Sequence, residues 1–239
     1  MSNGVDLSNN NGRVNWKLLS ADTDFAWVKA TEGRSYVDPY LDLNLKSARA
    51  AGLPIGTYHF ARPDNNSADS EALHFLNVYK PQPGDLLPVL DFETHANRNP
   101  ADMTAWAKRW MELVTQGLNQ EVVFYSYPYF ITGDMAGAYA LHGTKLWLAD
   151  YGANDGKRHK QGYVFPAFNQ VAHQYTSNGH VAGVNGRVDL NYAPKLEDIL
   201  QAQPKPPVVK GKALPGPAKK PKWFWLALKQ YLANRQKNT

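Results

Sequence analysis

Eight short runs of apolar, β-branched or aromatic residues recur between residues 4 and 200, and longer stretches of helical periodicity separate several of them. The runs span residues 4–7, 25–31, 55–61, 86–93, 121–127, 145–151, 173–176 and 188–192. Strand-like runs that alternate with helical patterns must place their strands side by side and mostly parallel, because each intervening helix carries the chain back across the sheet. Between the runs, residues 43–51 read as a helix stopped by Gly52, and residues 67–79 as a second closed before Pro81. Residues 99–117 give the clearest helix, with Asn99 as cap, Pro100 in the first turn, Asp102 near the positive end and Gly117 at the stop. Helices are thus expected after the second, third and fourth strands, and the segments between the last strands are too short for them. An irregular (modified) β/α barrel is the first expectation and an open doubly wound sheet the second. The phosphate loop that would favour the second is missing, since neither G-x-G-x-x-G nor a Walker pattern follows any run.

The 239 residues, 43% of them apolar, suffice for a packed core, and the absence of cysteine removes disulfides, thiolate metal sites and cysteine nucleophiles together. The first fifteen residues are polar and no run approaches the roughly 18 apolar residues of a membrane span, so no secretory signal is predicted and synthesis in a cytoplasm is expected. The net charge of +5 is unevenly spread. Nine of the 26 basic residues and none of the 21 acidic ones fall in residues 204–239, leaving 17 basic against 21 acidic in the body. Three units follow: a barrel over 1–203, a Pro/Lys-rich linker over 204–221 with six prolines, and a short cationic amphipathic helix over 222–239. In that last segment Trp223, Phe224 and Trp225 stand beside Lys222 and Lys229, the pairing of interfacial rings and cations that suits an anionic membrane or envelope surface.

In a β/α barrel the side chains ending the strands converge on the site. Carboxylates end four of the runs here: Asp6 the first, Asp91 and Glu93 the fourth, Asp150 the sixth and Asp189 the last. Asp91 and Glu93 in LPVLDFE are two apart on a strand, so they share a face, their Cα atoms about 6.5 Å apart at about 3.3 Å per residue. Like charges that close push one pKa up, leaving one group protonated and the other ionised, the pairing that acid-catalysed glycoside hydrolysis uses. The ordinary alternative is an acidic strand end that pairs with neighbouring cations or meets solvent. The seven histidines form no H-x-H or H-E-x-x-H pattern, no G-x-S-x-G elbow occurs, and neither metal nor cofactor is expected. A hard cation on Asp6, Asp91 and Glu93 is the weaker alternative. His59 reads as a hydrogen-bonded structural histidine. Tyr36, Tyr58, Tyr125, Tyr127, Tyr129, Trp147, Tyr151 and Tyr175 gather at strand ends, where rings with polar tips suit sugar faces, whereas Trp27 and Phe92 read as core.

GVDLS at 4–8, FAWVKATEG at 25–33, GTYHFARP at 56–63, LPVLDFE at 87–93, LWLADY at 146–151, HQYT at 173–176 and GRVDLN at 186–191 together resemble glycoside hydrolase family 25, the lysozymes or N-acetylmuramidases frequent among phage endolysins and bacterial autolysins. The resemblance covers about residues 4–200 and implies a modified barrel that cleaves the β-1,4 bond after N-acetylmuramic acid in peptidoglycan. It implies Glu93 as general acid, Asp6, Asp91 and Asp189 as the other acidic residues around the cleaved bond, and Lys29, Tyr58, Tyr125, Tyr151 and Gln174 as substrate contacts. His173 departs from the tryptophan frequent before Gln-Tyr in the family. By the same resemblance the protein is expected to act as a monomer on glycan strands, released to the cell wall from a host cytoplasm. An inactive glycan- or wall-binding barrel anchored by the basic tail is the alternative. Nucleic-acid binding is disfavoured because the body is acidic.

Overall fold

The computed structural model describes residues 1–201. The expected linker and cationic helix, with Lys222, Trp223, Phe224, Trp225 and Lys229, lie outside the described residues.

Strand β1 (Ser2–Leu7) alternates Gly4 and Asp6 on one face with Val5 and Leu7 on the other. After the one-turn helix α1 (Trp16–Leu19), β2 (Phe25–Glu32) pairs in parallel with β1. A two-residue strand, β3 (Tyr36–Val37), folds back on the end of β2, too short to leave a periodic signal in the sequence. Then follow α2 (Leu41–Ala50), β4 (Ile55–Phe60), α3 (Ala68–Val78), β5 (Val89–Asp91), α4 (Pro100–Leu118), β6 (Val123–Ser126), β7 (Lys145–Ala149), β8 (Asn169–Gly179) and β9 (Val188–Ala193). All eight sequence runs are strands, and β1, β2 and β4–β9 close into a barrel through the β1–β2 pairing. Neighbours are parallel from β1 round to β8, while β9 runs antiparallel to both β8 and β1. That reversal places the beginning of β9, not its end, at the rim where the other strands finish. Asp189, second in β9, reaches the common rim for that reason.

The helices obey their caps. Ser67 accepts from the Ser70 amide at the start of α3, and Asn99 accepts from the Asp102 amide at the start of α4. Gly52, at φ +72°, ends α2 as expected. Gly117 is not the stop of α4: the helix runs on to Leu118 and ends at Asn119, which takes the left-handed conformation at φ 55°. Gly117 instead lies against Leu76 of α3, where an added Cβ would come within 2.7 Å of the leucine methyls. Its lack of a side chain sets helix–helix approach rather than helix length. No regular helix follows β7 or β8, which leaves the barrel irregular.

Two apolar layers result. Outside, α2, α3 and α4 pack Leu45, Phe75, Trp106, Trp110 and Val114 against outward-facing Val5, Val28, Leu90 and Phe92. Inside, Phe25, Trp27, Val89, Val123, Trp147 and Val171 fill the barrel, with Trp27 and Trp147 stacked at 4.4 Å between ring centres. Below them Leu87 takes a backbone bond from its amide to Ile199, and Gln201 donates to the Leu86 carbonyl, sealing the lower end.

Such large rings fit only because two strands carry glycine beside them. A Cβ on Gly4 would lie 2.3 Å from the Phe25 ring, and one on Gly56 would lie 2.7 Å from both Leu86 and the Trp27 ring. Gly4→Ala is therefore expected to cost about 1–3 kcal/mol by overpacking, seen as a lowered denaturant midpoint. Gly133→Ala, where the added carbon meets nothing within 4 Å, is the comparison. Equal midpoints for the two variants would show that the interior has slack at Gly4.

Candidate active site

At the rim where seven strands end and β9 begins, the barrel opens into a cleft of about 260 Å³. Asp6, Lys29, Tyr58, Asp91, Glu93, Tyr125, Tyr151, Gln174 and Asp189 all line it. These are the four carboxylates and five polar residues marked by the sequence, contributed by all eight barrel strands or the residues just after them. Ser8, Asn10, Phe60, Trp147 and Ser177 complete the wall.

The Asp91 and Glu93 arrangement follows from strand alternation. β5 ends at Asp91, Phe92 turns outward to stack on Trp106 at 5.4 Å, and Glu93 returns to the cleft side. Asp91 is buried, and its Oδ1 has no hydrogen-bond partner. Burial lifts the Asp91 carboxyl well above its ordinary value, and the neighbouring Glu93 and Asp6 charges push the same way. Glu93 is raised first by burial and then by Asp6, with Lys29 opposing. A carboxylic acid held protonated in an acidic, half-dry cleft is suited to give a proton to a leaving oxygen.

On the opposite wall Asp6 and Asp189 are direct partners across the β1–β9 pairing, and their side chains hydrogen-bond each other. Asp6 Oδ1 accepts from Gln174 Nε2 at 2.8 Å and from Asn191 Nδ2 at 2.7 Å. Gln174 Oε1 in turn accepts the hydroxyls of Tyr125 at 2.8 Å and Tyr151 at 2.7 Å. Asn191 Oδ1 accepts the indole N–H of Trp147 at 2.8 Å. Burial and the Asp6 charge push Asp189 up to about 8. Asn191 did not stand out in the sequence. The signal was present, since Asp189 and Asn191 share a strand face by the same two-residue spacing as Asp91 and Glu93.

Lys29 is the cation of the cleft; its Nζ bonds Glu32 at 2.5 Å and lies 4.8 Å over the Phe60 ring. Of the eight aromatic residues expected at the site, Tyr58, Tyr125, Trp147 and Tyr151 line the cleft, whereas Tyr36, Tyr127, Tyr129 and Tyr175 do not. Trp27 and Phe92 are core, as expected. Asp150 also faces away, accepting the amides of Gly162 and Tyr163 and fixing the loop after β7. His59 is fully buried on the outer side of β4 between Thr31 and Glu71, each 2.7 Å away. His173, one residue before Gln174, points out of the barrel to the Asp150 carbonyl at 2.7 Å, so its departure from the family pattern leaves the cleft wall untouched.

A family model described as "Glycosyl hydrolases family 25" matches residues 5–184. Lysozyme M1 of Streptomyces globisporus is 30% identical over 201 residues, covering 79% of this chain and 66% of that protein. The lysozyme of Streptococcus phage Cp-7 is 31% identical over 180 residues, 73% of this chain and 50% of that protein. Among solved structures, the bacterial lysozyme from Streptomyces coelicolor superposes with a TM-score of 0.74 at 27% identity, over 81% of this chain and 92% of that one.

The raised carboxyls give stability a definite pH dependence. Folded Asp189 keeps a proton that the unfolded chain releases near 3.8, so this contribution is complete below that value and is lost as pH rises towards about 8. Asp189→Asn keeps a donor towards Asp6 and removes the ionisation. The variant is expected to gain roughly 1–3 kcal/mol at pH 9 relative to the parent, with the gain shrinking towards pH 4. Denaturant titrations at both pH values decide it; an equal gain at both would place the effect outside Asp189 ionisation.

Proposed function

The chain belongs to glycosyl hydrolases family 25 and is a lysozyme, a hydrolase of peptidoglycan; on that premise we propose that its cleft cuts the β-1,4 bond between N-acetylmuramic acid and N-acetylglucosamine with Glu93 as general acid. The observation that carries the assignment is Glu93 itself, half-buried at the cleft wall and raised by burial and by Asp6, two residues from a buried carboxyl whose Oδ1 has no protein partner.

The two carboxyls play unequal parts. Glu93 gives its proton to the glycosidic oxygen as that bond breaks. Asp91 leaves the same strand end beside it, so the pair does not straddle a sugar ring as an acid and an enzyme nucleophile would. The substrate supplies the nucleophile instead: the 2-acetamido carbonyl oxygen of muramic acid attacks its own anomeric carbon, while Asp91 Oδ1 accepts the acetamide N–H and orients the group for that attack. Glu93, now ionised, takes a proton from the water that opens the cyclic intermediate, and the anomeric configuration is retained. Lys29, Tyr58, Tyr125, Tyr151 and Gln174 form the walls along which the glycan lies, and the rings of Tyr58 and Phe60 offer apolar faces to it. The charge on Asp6, next to burial, is what keeps Glu93 protonated.

The biological setting we infer is bacterial lysis, with synthesis in a host cytoplasm and release to the wall; the similarity to a phage lysozyme supports it. The basic residues and tryptophans of 222–239 suit an anionic envelope surface, which would hold the enzyme at its substrate. An inactive wall-binding barrel has less support, because Glu93 and all three aspartates stand in one cleft.

Glu93→Gln keeps the shape of the side chain and cannot give a proton, so a loss of about a hundredfold or more in turnover is expected with the fold intact. Clearing of purified cell walls by the folded variant within a few fold of the parent would remove Glu93 as the acid. Mass spectrometry of the parent's digest should show muramic acid at the new reducing ends. De-N-acetylated peptidoglycan should bind and be cut poorly, whereas equal turnover of both glycans would assign the nucleophile to the enzyme or to water.

A further inference from the structure

Asn191 is fully buried between Trp147 and Asp6, and the direction of its amide is settled by chemistry. An indole nitrogen donates and never accepts, so the group 2.8 Å from Trp147 Nε1 must be the Asn191 oxygen. The Asn191 NH₂ then faces Asp6 Oδ1 at 2.7 Å and can only donate to it. Gln174 brings a second N–H to the same oxygen, oriented by the hydroxyls of Tyr125 and Tyr151 at its other end. Asp6 thus collects two fixed N–H donors. Asp189, hydrogen-bonded to it, has no side-chain hydrogen-bond partner other than Asp6 among the described residues.

We propose that Asn191, oriented by Trp147, is a positioning residue that keeps the negative charge of the Asp6–Asp189 pair on Asp6 and the shared proton on Asp189, and through the charge on Asp6 keeps Glu93 protonated for acid catalysis. Two donors on one carboxylate and none on its partner decide where a single proton resides, because a carboxylate that accepts N–H bonds holds its charge more readily. The last link rests on the assignment of Glu93 as the acid. Other ionisable groups face Asp6 from around the barrel: Lys29 on β2, Tyr58 on β4 and the Asp91–Glu93 pair at the end of β5. None of them hydrogen-bonds Asp6, so the two side-chain amides, its own backbone N–H and Asp189 set its state directly. Tyr125 and Tyr151 act on it through Gln174. The arrangement joins core to chemistry, since the indole that fills the barrel also fixes the polarity of the network above it.

The test follows the carboxyl carbons of Asp6 and Asp189 by ¹³C NMR across pH in the full-length chain. In the parent, Asp6 is expected to titrate below Asp189. Asn191→Leu, close in shape and without a donor, should raise the Asp6 midpoint by about one pH unit or more and shrink or reverse the gap. The alkaline limb of kcat on soluble glycan fragments should then move about one unit towards acid, while KM stays within about twofold, because Glu93 loses part of the charge that holds its proton. A purely structural asparagine would lower stability and leave both the titration order and the limb in place. Trp147→Phe keeps Asn191 and frees its amide, and should shift the Asp6 midpoint in the same direction by a smaller amount. Asp189 titrating below Asp6 in the parent, or an unchanged order in the folded variants, overturns the proposal. Failure of the Glu93 assignment reads differently: Glu93→Gln would stay active while the order of the two aspartates held.

Discussion

The stack of Trp27 on Trp147 is the contact on which the rest of this structure depends. Eight strands enclose the interior, and two indoles 4.4 Å apart fill it together with Phe25, Val89, Val123 and Val171. Filling it that way fixes the neighbours, so Gly4 and Gly56 stand where any side chain would collide with Phe25 or Trp27. It also fixes two donors. Trp27 Nε1 donates down to the Leu87 carbonyl at 3.1 Å, tying the stack to the start of the fourth barrel strand, and Trp147 Nε1 donates to Asn191. The floor of the cleft is therefore the roof of the core, and a change in core packing is felt at Asp6 through one side chain.

Above the stack the protein gathers four carboxyls around a single lysine, an arrangement opposed by burial and by mutual repulsion. All four are displaced upward from their ordinary values, each with burial as the leading cause. The consequence is unequal protonation. Asp6 has two amide donors and holds charge, Asp189 leans on Asp6, and Glu93 shares its wall with the partnerless oxygen of Asp91. Stability is given up to hold these groups together, as is common where a site needs acids that stay protonated near neutrality.

Much of this was legible in the residues. The eight runs became the eight barrel strands because parallel strands buried on both faces read as short apolar segments whatever their order in space. The caps of α3 and α4 were legible because capping is local chemistry. So was the D-x-E spacing, since a period of two puts both acids on one face of any strand. His59 read as structural, and lies fully buried between Thr31 and Glu71. Local reasoning failed at Gly117, where a glycine near a helix end has two explanations and only the position of Leu76 chooses between them.

The sequence by itself determined which residues alternate, which segments become strands and helices, and which polar groups stand at strand ends. Only the closed barrel decided which of those groups meet. Closure set β9 against the direction of its neighbours, and that reversal brought Asp189 from the start of a strand to the rim where Asp6 ends one, 183 positions away in the chain. Closure also separated four rings that line the cleft from four that do not, and turned Asp150 and His173 outward while Gln174 and Asn191 turned in. The reason is physical: strand periodicity fixes a side chain's face from its nearest neighbours alone, whereas a hydrogen bond between distant strands depends on register and shear around the whole barrel.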